Sequence, residues 1–371
     1  MKTVNILYAN PKRDGNELAF IFPVIYHKNK LEKEYNLNIN FYDSHEENRI
    51  FECDTLVISS WYFGRKRKSW LNNPDEIISF ILSAKKKNIR VVWSDISDST
   101  GTTQFSVLPH VDKYIKCQLL KDRTKYLKTY YGGRIFTDFY HTNFNIQDET
   151  PEEKHLNIIP VPSDLYKLEV SWNTGLATYS EYGPYYNFIN YRYFNLLLPL
   201  YFPFSWSNPD DSDRTIDVSC RIGTGYKRNT ISYQRIEVKK LLHKICDTSK
   251  IKRTEYFREL KKSKINVSPF GLGEITLRDF EIFVAGALIF KPNCDHMETW
   301  PNFFIAKQTY VDFKWDLSDF HDVLQDTLHN KKLIIDISKN GQRTYYNAIK
   351  TKIGHFEFCE RFNKIVTNFN Q

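Results

Sequence analysis

Residues 268–292 read SPFGLGEITLRDFEIFVAGALIFKP, a Gly-rich turn, a helix and a strand in immediate succession. Thr276 followed three residues later by Asp279 is a capping-box pattern, so a helix is expected over residues 277–286. Gly271 and Gly273 form the turn before it, and ALIF at 287–290 is the strand after it. A helix N-terminus offers unpaired backbone N–H groups and the positive end of the peptide dipoles, which together bind phosphate. Arg278 lies in the first turn and Glu281 follows at i+3, so the two side chains leave nearly the same face. A cation for a diphosphate and a carboxylate for ribose hydroxyls, one turn apart, suit a nucleoside diphosphate. The same spacing also describes an ordinary surface Arg–Glu pair.

The alternation of strand and helix continues on both sides. Upstream lie a strand at 215–220, the loop RIGTGYKR at 221–228, a helix carrying Val238, Leu241, Leu242 and Ile245 at i, i+3, i+4 and i+7, and the strand KINVS. Downstream, terminal helices are expected around 341–350 and 355–368. The first 95 residues alternate in the same way, with strands at 4–9, 37–42, 55–59 and 89–93 and helices near 17–33 and 75–84. TLVIS and RVVW are continuously apolar, as strands covered on both faces are. Asn73, Pro74, Asp75 and Glu76 mark the start of the second helix, and Ile77, Phe80, Ile81 and Ala84 give it one apolar face. This pattern implies parallel sheets covered by helices.

SWSNPDDSD at 205–213 is rich in Pro, Ser, Asn and Asp and reads as a connection between domains. The expected organisation is an N-terminal domain over 1–205, a linker over 206–213 and a C-terminal domain over 214–371, with the terminal helix free to return to the first domain. The fold class is α/β, two Rossmann-like domains facing each other across a cleft, and that cleft is the default binding site. Residues 111–121 are expected as a helix whose Lys113, Lys116 and Lys121, with Arg123, form a basic face. The aromatic run TYSEYGPYYNFINYRYF at 178–194 suits either a ring-stacking surface or a core.

Composition narrows the classes further. A chain of 371 residues, 41% hydrophobic and 26% charged, builds real cores and is not a disordered polymer. The net charge of +8 suits phosphate-bearing ligands or a membrane surface but is modest for a dedicated nucleic-acid binder. No run approaches the roughly 20 apolar residues of a membrane span. MKTVNILYAN has no signal-peptide core, so a cytoplasmic protein is expected, with peripheral contact at the inner face of a membrane left open. Six cysteines lie far apart without a C-x-x-C pair, and are expected reduced and mostly buried. No metal site is expected, because the acids of NPDDSD belong to the linker.

RDFEIFVAG at 278–286 resembles the donor-binding helix of GT-B glycosyltransferases, whose pattern is a Gly-rich turn, an Arg and then F-E-A-x-A-x-G. ITLR followed by a Glu also resembles the corresponding part of the T-even phage DNA β-glucosyltransferases. The resemblance implies the GT-B architecture and a nucleotide-diphosphate sugar as co-substrate, with a divalent metal optional and no obligatory cofactor. It puts Arg278 on the diphosphate and Glu281 on the ribose. Glu274 and Glu281 are spaced E-x6-E where the family commonly has E-x7-E, so Glu274 receives no donor role. KPNCDHMETWP at 291–301 and VDKYIKCQLLKDR resemble glycosyltransferases of surface-polysaccharide clusters, which points His296 and Glu298 toward the donor sugar; a structural loop anchored by Trp300 is the alternative. Arg221, Gly223, Gly225, Lys227 and Arg228 follow a strand and could form a flexible basic cradle for phosphates or a solvated turn, with Arg235 a weaker candidate and Gly273 in the turn before the helix.

The first domain supplies VVWSDISDSTGT at 91–102. Sugar transfer with inversion needs a base for the acceptor hydroxyl, and a carboxylate aimed into the cleft can serve. Asp95 in WSD matches the place of the catalytic Asp in the β-glucosyltransferases, and Asp98 is the nearby alternative. The expected function is transfer of a sugar from a nucleotide-diphosphate sugar to a hydroxyl of a saccharide or lipid-linked saccharide. Two other readings stand beside it: transfer to hydroxymethylated bases of DNA, and a sugar- or nucleotide-binding protein without catalysis.

Overall fold

The computed structural model describes residues 1–9, 15–66, 74–149, 157–177 and 206–369. The first sheet contains β1 (Lys2–Leu7), β2 (Leu37–Tyr42), β3 (Thr55–Ser59), β4 (Arg90–Asp95), β5 (Lys113–Lys116) and β7 (Leu168–Val170), while β6 (Gln118–Leu120) stands apart from it. Its order is β2-β1-β3-β4-β5-β7 and every neighbouring pair is parallel. TLVIS of β3 is buried along its whole length, which is why it reads as an unbroken apolar run. Helices α1 (Gly15–Tyr35), α2 (Pro74–Lys85) and α3 (Ile135–Phe144) accompany this sheet, and Ile77, Phe80, Ile81 and Ala84 of α2 are all buried. Asn73 and the aromatic run at 178–194 lie outside the described residues.

The second sheet has the order β12-β10-β9-β8, again all parallel, from β8 (Ile216–Ser219), β9 (Ser263–Val267), β10 (Leu288–Pro292) and β12 (Val311–Phe313). Around it lie α4 (Asn229–Leu242), α5 (Arg253–Lys262), α6 (Leu277–Ala285), α7 (Phe320–His329) and α8 (Lys331–Lys350), and α9 (Lys352–Thr367) follows them. The chain is thus α/β with two Rossmann-like parallel sheets. Helix α4 stops at Leu242, so Ile245, at the end of the expected periodicity, falls beyond it and is largely exposed.

Helix α6 is the best-anchored element near the cleft. The Thr276 N–H donates to the Asp279 carboxylate at 2.8 Å, which starts the helix where the capping pattern places it. Asp279 is held in turn by Ser268 Oγ at 2.6 Å and by the buried Lys291 ammonium at 3.0 Å. Gly286 ends the helix at φ 71°, a left-handed cap that favours glycine. Phe280 and Phe283 meet Tyr345 of α8 at ring-centroid distances of 5.3 and 5.8 Å. Burying each such ring stabilises the fold by about 1.5–3 kcal/mol, so the position of the N-terminus of α6 is set by a deep core.

Two connections join the sheets. β6 pairs antiparallel with β11 (Met297–Thr299), matching Gln118 with Thr299 and Leu120 with Met297. The last helix, α9, reaches the first sheet, where Thr55 Oγ1 donates to Val366 O at 2.9 Å and Lys113 Nζ donates to Ile365 O at 3.0 Å. Residues 111–121 therefore do not form the expected helix. Their apolar spacing fits a helix, but Lys113 and Lys116 are buried in a strand, where Glu169 at 2.9 Å and Asp95 at 3.1 Å balance their charge. All six cysteines are free thiols; Cys220, Cys294 and Cys359 are buried and the other three half-buried.

Candidate functional site

The N-terminus of α6 opens on a cavity of about 630 Å³ lined by Thr276, Leu277, Arg278 and Glu281 on one side and by Arg221, Ile222, Gly223, Tyr226, Arg235, Lys250, Ile251, Arg253 and Tyr256 on the others. Arg278 donates through Nη2 to the main-chain oxygen of Arg221, and its buried Nε has no hydrogen-bond partner among the described residues. Arg235 is fixed by Nε to Gly223 O at 2.7 Å and by Nη1 to Phe270 O at 2.8 Å, with its guanidinium over the Tyr226 ring. Glu281 accepts from Arg253 Nη2 at 3.2 Å and from the Tyr256 hydroxyl at 3.1 Å. Burial raises the Glu281 carboxyl above its ordinary range, against the pull of Arg253, Tyr256 and Arg278. The cavity thus joins a helix N-terminus and two fixed guanidinium groups to a buried carboxylate.

A second cavity, of about 360 Å³, shares Tyr226, Thr276 and Leu277 with the first and lies between the two halves of the chain. Its walls include Gly271, Leu272 and Gly273 from the turn before α6, and Asn16, Ser97, Asp98, Cys117, Gln118 and Thr174 from the first half. Asp98 Oδ1 accepts from Asn16 Nδ2 at 2.6 Å. A Cβ on Gly273 would lie 1.7 Å from the main-chain oxygen of Asp98, so only glycine allows the turn to approach this loop.

Glu274 locks the same approach. Its carboxylate is fully buried and accepts from Thr100 Oγ1 at 2.5 Å, Thr100 N at 3.1 Å, Gln118 Nε2 at 3.3 Å and His296 Nε2 at 3.3 Å. Burial alone would raise this carboxyl; the bonds from His296 and Thr100 reverse that and hold it at about 2. Among the described residues no group of three or more His, Cys, Asp or Glu side chains could hold a metal ion, and no helix is long and apolar enough to cross a membrane.

No protein-family model and no curated protein sequence matches the chain. Solved structures do resemble it along nearly its whole length. HepE from Anabaena, in complex with UDP-glucose, has a TM-score of 0.45 at 7% identity, covering 98% of this chain and 100% of its own. A glycosyltransferase from Rickettsia africae has a TM-score of 0.45 at 10% identity, with 99% and 98% covered. An α-glucosyltransferase in complex with UDP and a 13-mer DNA containing an HMU base has a TM-score of 0.41 at 9% identity, with 99% and 100% covered. Two parallel α/β halves meet across a cleft, and the last helix crosses back to the first. The two-sheet arrangement is the one that the resemblance to GT-B glycosyltransferases implies.

Within this cleft the residues singled out in the sequence separate into two groups. Arg278, Glu281, Gly223, Arg221 and Arg235 line the first cavity, and Asp98 and Gly273 line the second. Asp95 does neither. It is fully buried, accepting from Tyr114 at 2.6 Å and from Ser97 Oγ at 2.6 Å and pairing with Lys116 at 3.1 Å, so it fixes the loop that carries Asp98. Arg221 points its guanidinium at Glu259, at 2.9 Å, and Asp247, at 2.6 Å, which neutralise it and leave its main chain on the cavity. Gly225 and Lys227 are exposed and line neither cavity. Glu298 pairs with Arg123 at 2.7 Å in the β6–β11 ribbon, and His296 binds Glu274 and sits edge-on to Trp315. Both are expected toward a donor sugar, and neither lines either cavity. Tyr226, Arg253, Tyr256, Asn16 and Gln118 complete the cavities; scattered single polar residues give no spacing by which the sequence could have marked them.

Proposed function

We propose that the protein is a glycosyltransferase that binds a nucleotide-diphosphate sugar in the larger cavity and transfers the sugar, in the smaller one, to a hydroxyl of a saccharide or lipid-linked saccharide. The observation that carries this reading is the continuity of the two cavities across the N-terminus of α6. Residues 1–205 act as the acceptor domain, 206–213 as the linker and 214–371 as the donor domain. The diphosphate lies against the free N–H groups of α6, Arg278 and Arg235. Glu281 takes the ribose hydroxyls by exchanging its bond to Arg253 for bonds to the nucleoside.

Asp98, not Asp95, is the base. Its carboxylate takes the proton of the acceptor hydroxyl as that oxygen forms a bond to the anomeric carbon. The bond from that carbon to the diphosphate breaks on the opposite side, which inverts the centre. The negative charge that develops on the leaving diphosphate is met by the α6 N-terminus and Arg278, groups already in place and needing no reorganisation. The co-substrate is the nucleotide sugar itself, and a divalent ion is optional in this scheme.

A thermal-shift screen against nucleotides and nucleotide sugars tests it, because a ligand bound only to the native state raises its melting temperature. One nucleotide is expected to shift the wild type and to shift neither Arg278→Ala nor Glu281→Ala. A wild-type protein indifferent to every nucleotide would overturn the reading.

A further inference from the structure

Gln118 is the first residue of β6, is 1% exposed, and lines the interdomain cavity. Its Nε2 donates to the main-chain oxygen of Asp98 and to Glu274 Oε2. Both partners accept only, so they fix the amide's orientation: turned over, it would set its carbonyl oxygen against two acceptors. Oε1 is left buried with no hydrogen-bond partner among the described residues. A buried carbonyl oxygen without a donor pays its full desolvation, and such an atom in the wall of a ligand cavity is one that a ligand can satisfy.

We propose that Gln118 Oε1 accepts a hydrogen bond from a hydroxyl of the transferred sugar, making Gln118 a residue that selects the donor sugar. The inference rests on the cleft being a nucleotide-sugar site. A sugar attached to a diphosphate at the α6 N-terminus enters the smaller cavity past Tyr226, Thr276 and Leu277, the residues the two cavities share. A site built to bond a hydroxyl rejects the analogue lacking it, because its own acceptor is then left unpaired. Gln118 also holds the Asp98 loop, so the selected sugar and the base are referenced to one side chain.

The test is calorimetric titration of wild type, Gln118→Met and Gln118→Glu with UDP, ADP, GDP and dTDP, with their glucose, galactose and N-acetylglucosamine conjugates, and with monodeoxy versions of the conjugate that binds best. Gln118→Met is expected to keep the affinity for the free diphosphate and to lose about 10- to 100-fold for the conjugate. One monodeoxy conjugate should bind wild type weaker by a similar factor and show no such penalty in Gln118→Met. Gln118→Glu loses the donor to Asp98 O and sets a carboxylate against Glu274, so it should lose the discrimination as Gln118→Met does. Conjugate affinity unchanged in Gln118→Met overturns the inference while the donor site stands. If no diphosphate binds the wild type, the donor-site reading falls first and this one with it.

Discussion

Asn16 Nδ2 donates to Asp98 Oδ1 at 2.6 Å in the wall of the interdomain cavity, whereas Asp95, three residues earlier at the end of β4, is sealed beneath it against Lys116. The two carboxylates therefore fail in different ways when neutralised. Asp98→Asn should lower kcat about 10²- to 10⁴-fold, the ordinary worth of a general base, with nucleotide affinity and melting temperature unchanged. Asp95→Asn leaves Lys116 charged and buried without its partner, and should cost about 3–5 kcal/mol in urea denaturation. A fully active Asp98→Asn would remove it as the base.

Arg278 and Glu281 separate by a different measurement. Arg278 has a buried Nε with no partner among the described residues, so its truncation should weaken the diphosphate itself by about 10- to 100-fold, the loss expected for a charge-assisted hydrogen bond. Glu281→Gln removes charge but keeps an acceptor for Tyr256, and should weaken nucleosides and nucleotides alike. Titration with a nucleoside and its diphosphate distinguishes them; equal losses from both variants for both ligands would show that neither contact is specific.

These differences also mark what could be read in the chain. TLVIS, RVVW and the ITLRDFEIFVAG helix announced themselves because each is a local signal: continuous apolarity, or a cap followed by a periodic face. The choice between Asp95 and Asp98 was not local. Asp95 ends β4 and Asp98 lies in the loop after it, and only the registry of β4 with β5, which sets Asp95 opposite Lys116, decides which one is buried. KYIK misled for a related reason, since lysines that look solvated in a helix are neutralised inside a sheet by residues far away in sequence. His296 and Glu298 lie in a segment that pairs with β6, a contact no spacing predicts.

Gly273 gives a steric prediction. A methyl group there would fall 1.7 Å from the Asp98 oxygen, a backbone atom that cannot rotate away. Gly273→Ala should force the turn from the Asp98 loop, break the Thr100–Glu274 bonds and open the cleft. Small-angle scattering should show a larger radius of gyration, with nucleotide affinity retained and transfer lost. A variant with wild-type scattering and wild-type rate would show that the close approach is dispensable.

The last prediction concerns acid. His27 Nδ1 donates to Pro23 O at 2.7 Å, which leaves Nε2 to accept from His355 Nδ1 at 2.9 Å across the contact of α1 with α9. Protonating His27 would set a second N–H against that donor, with Lys30 nearby adding to the repulsion. Burial, the largest cause, lowers His27 from 6.5 to about 4. Between those values the unfolded chain binds a proton that the folded chain refuses, so stability is complete above about pH 6.5 and falls as pH drops toward 4, by roughly 3 kcal/mol. Glu274, held at about 2 when folded, adds a second loss only below its ordinary 4.5, as its five donors lose their acceptor. Urea midpoints measured from pH 7 to pH 4.5 should therefore decline in wild type and decline clearly less in His27→Phe, where burial still lowers His355. A wild-type profile that is itself flat over that range would mean His27 titrates normally and the α1–α9 contact is not acid-sensitive.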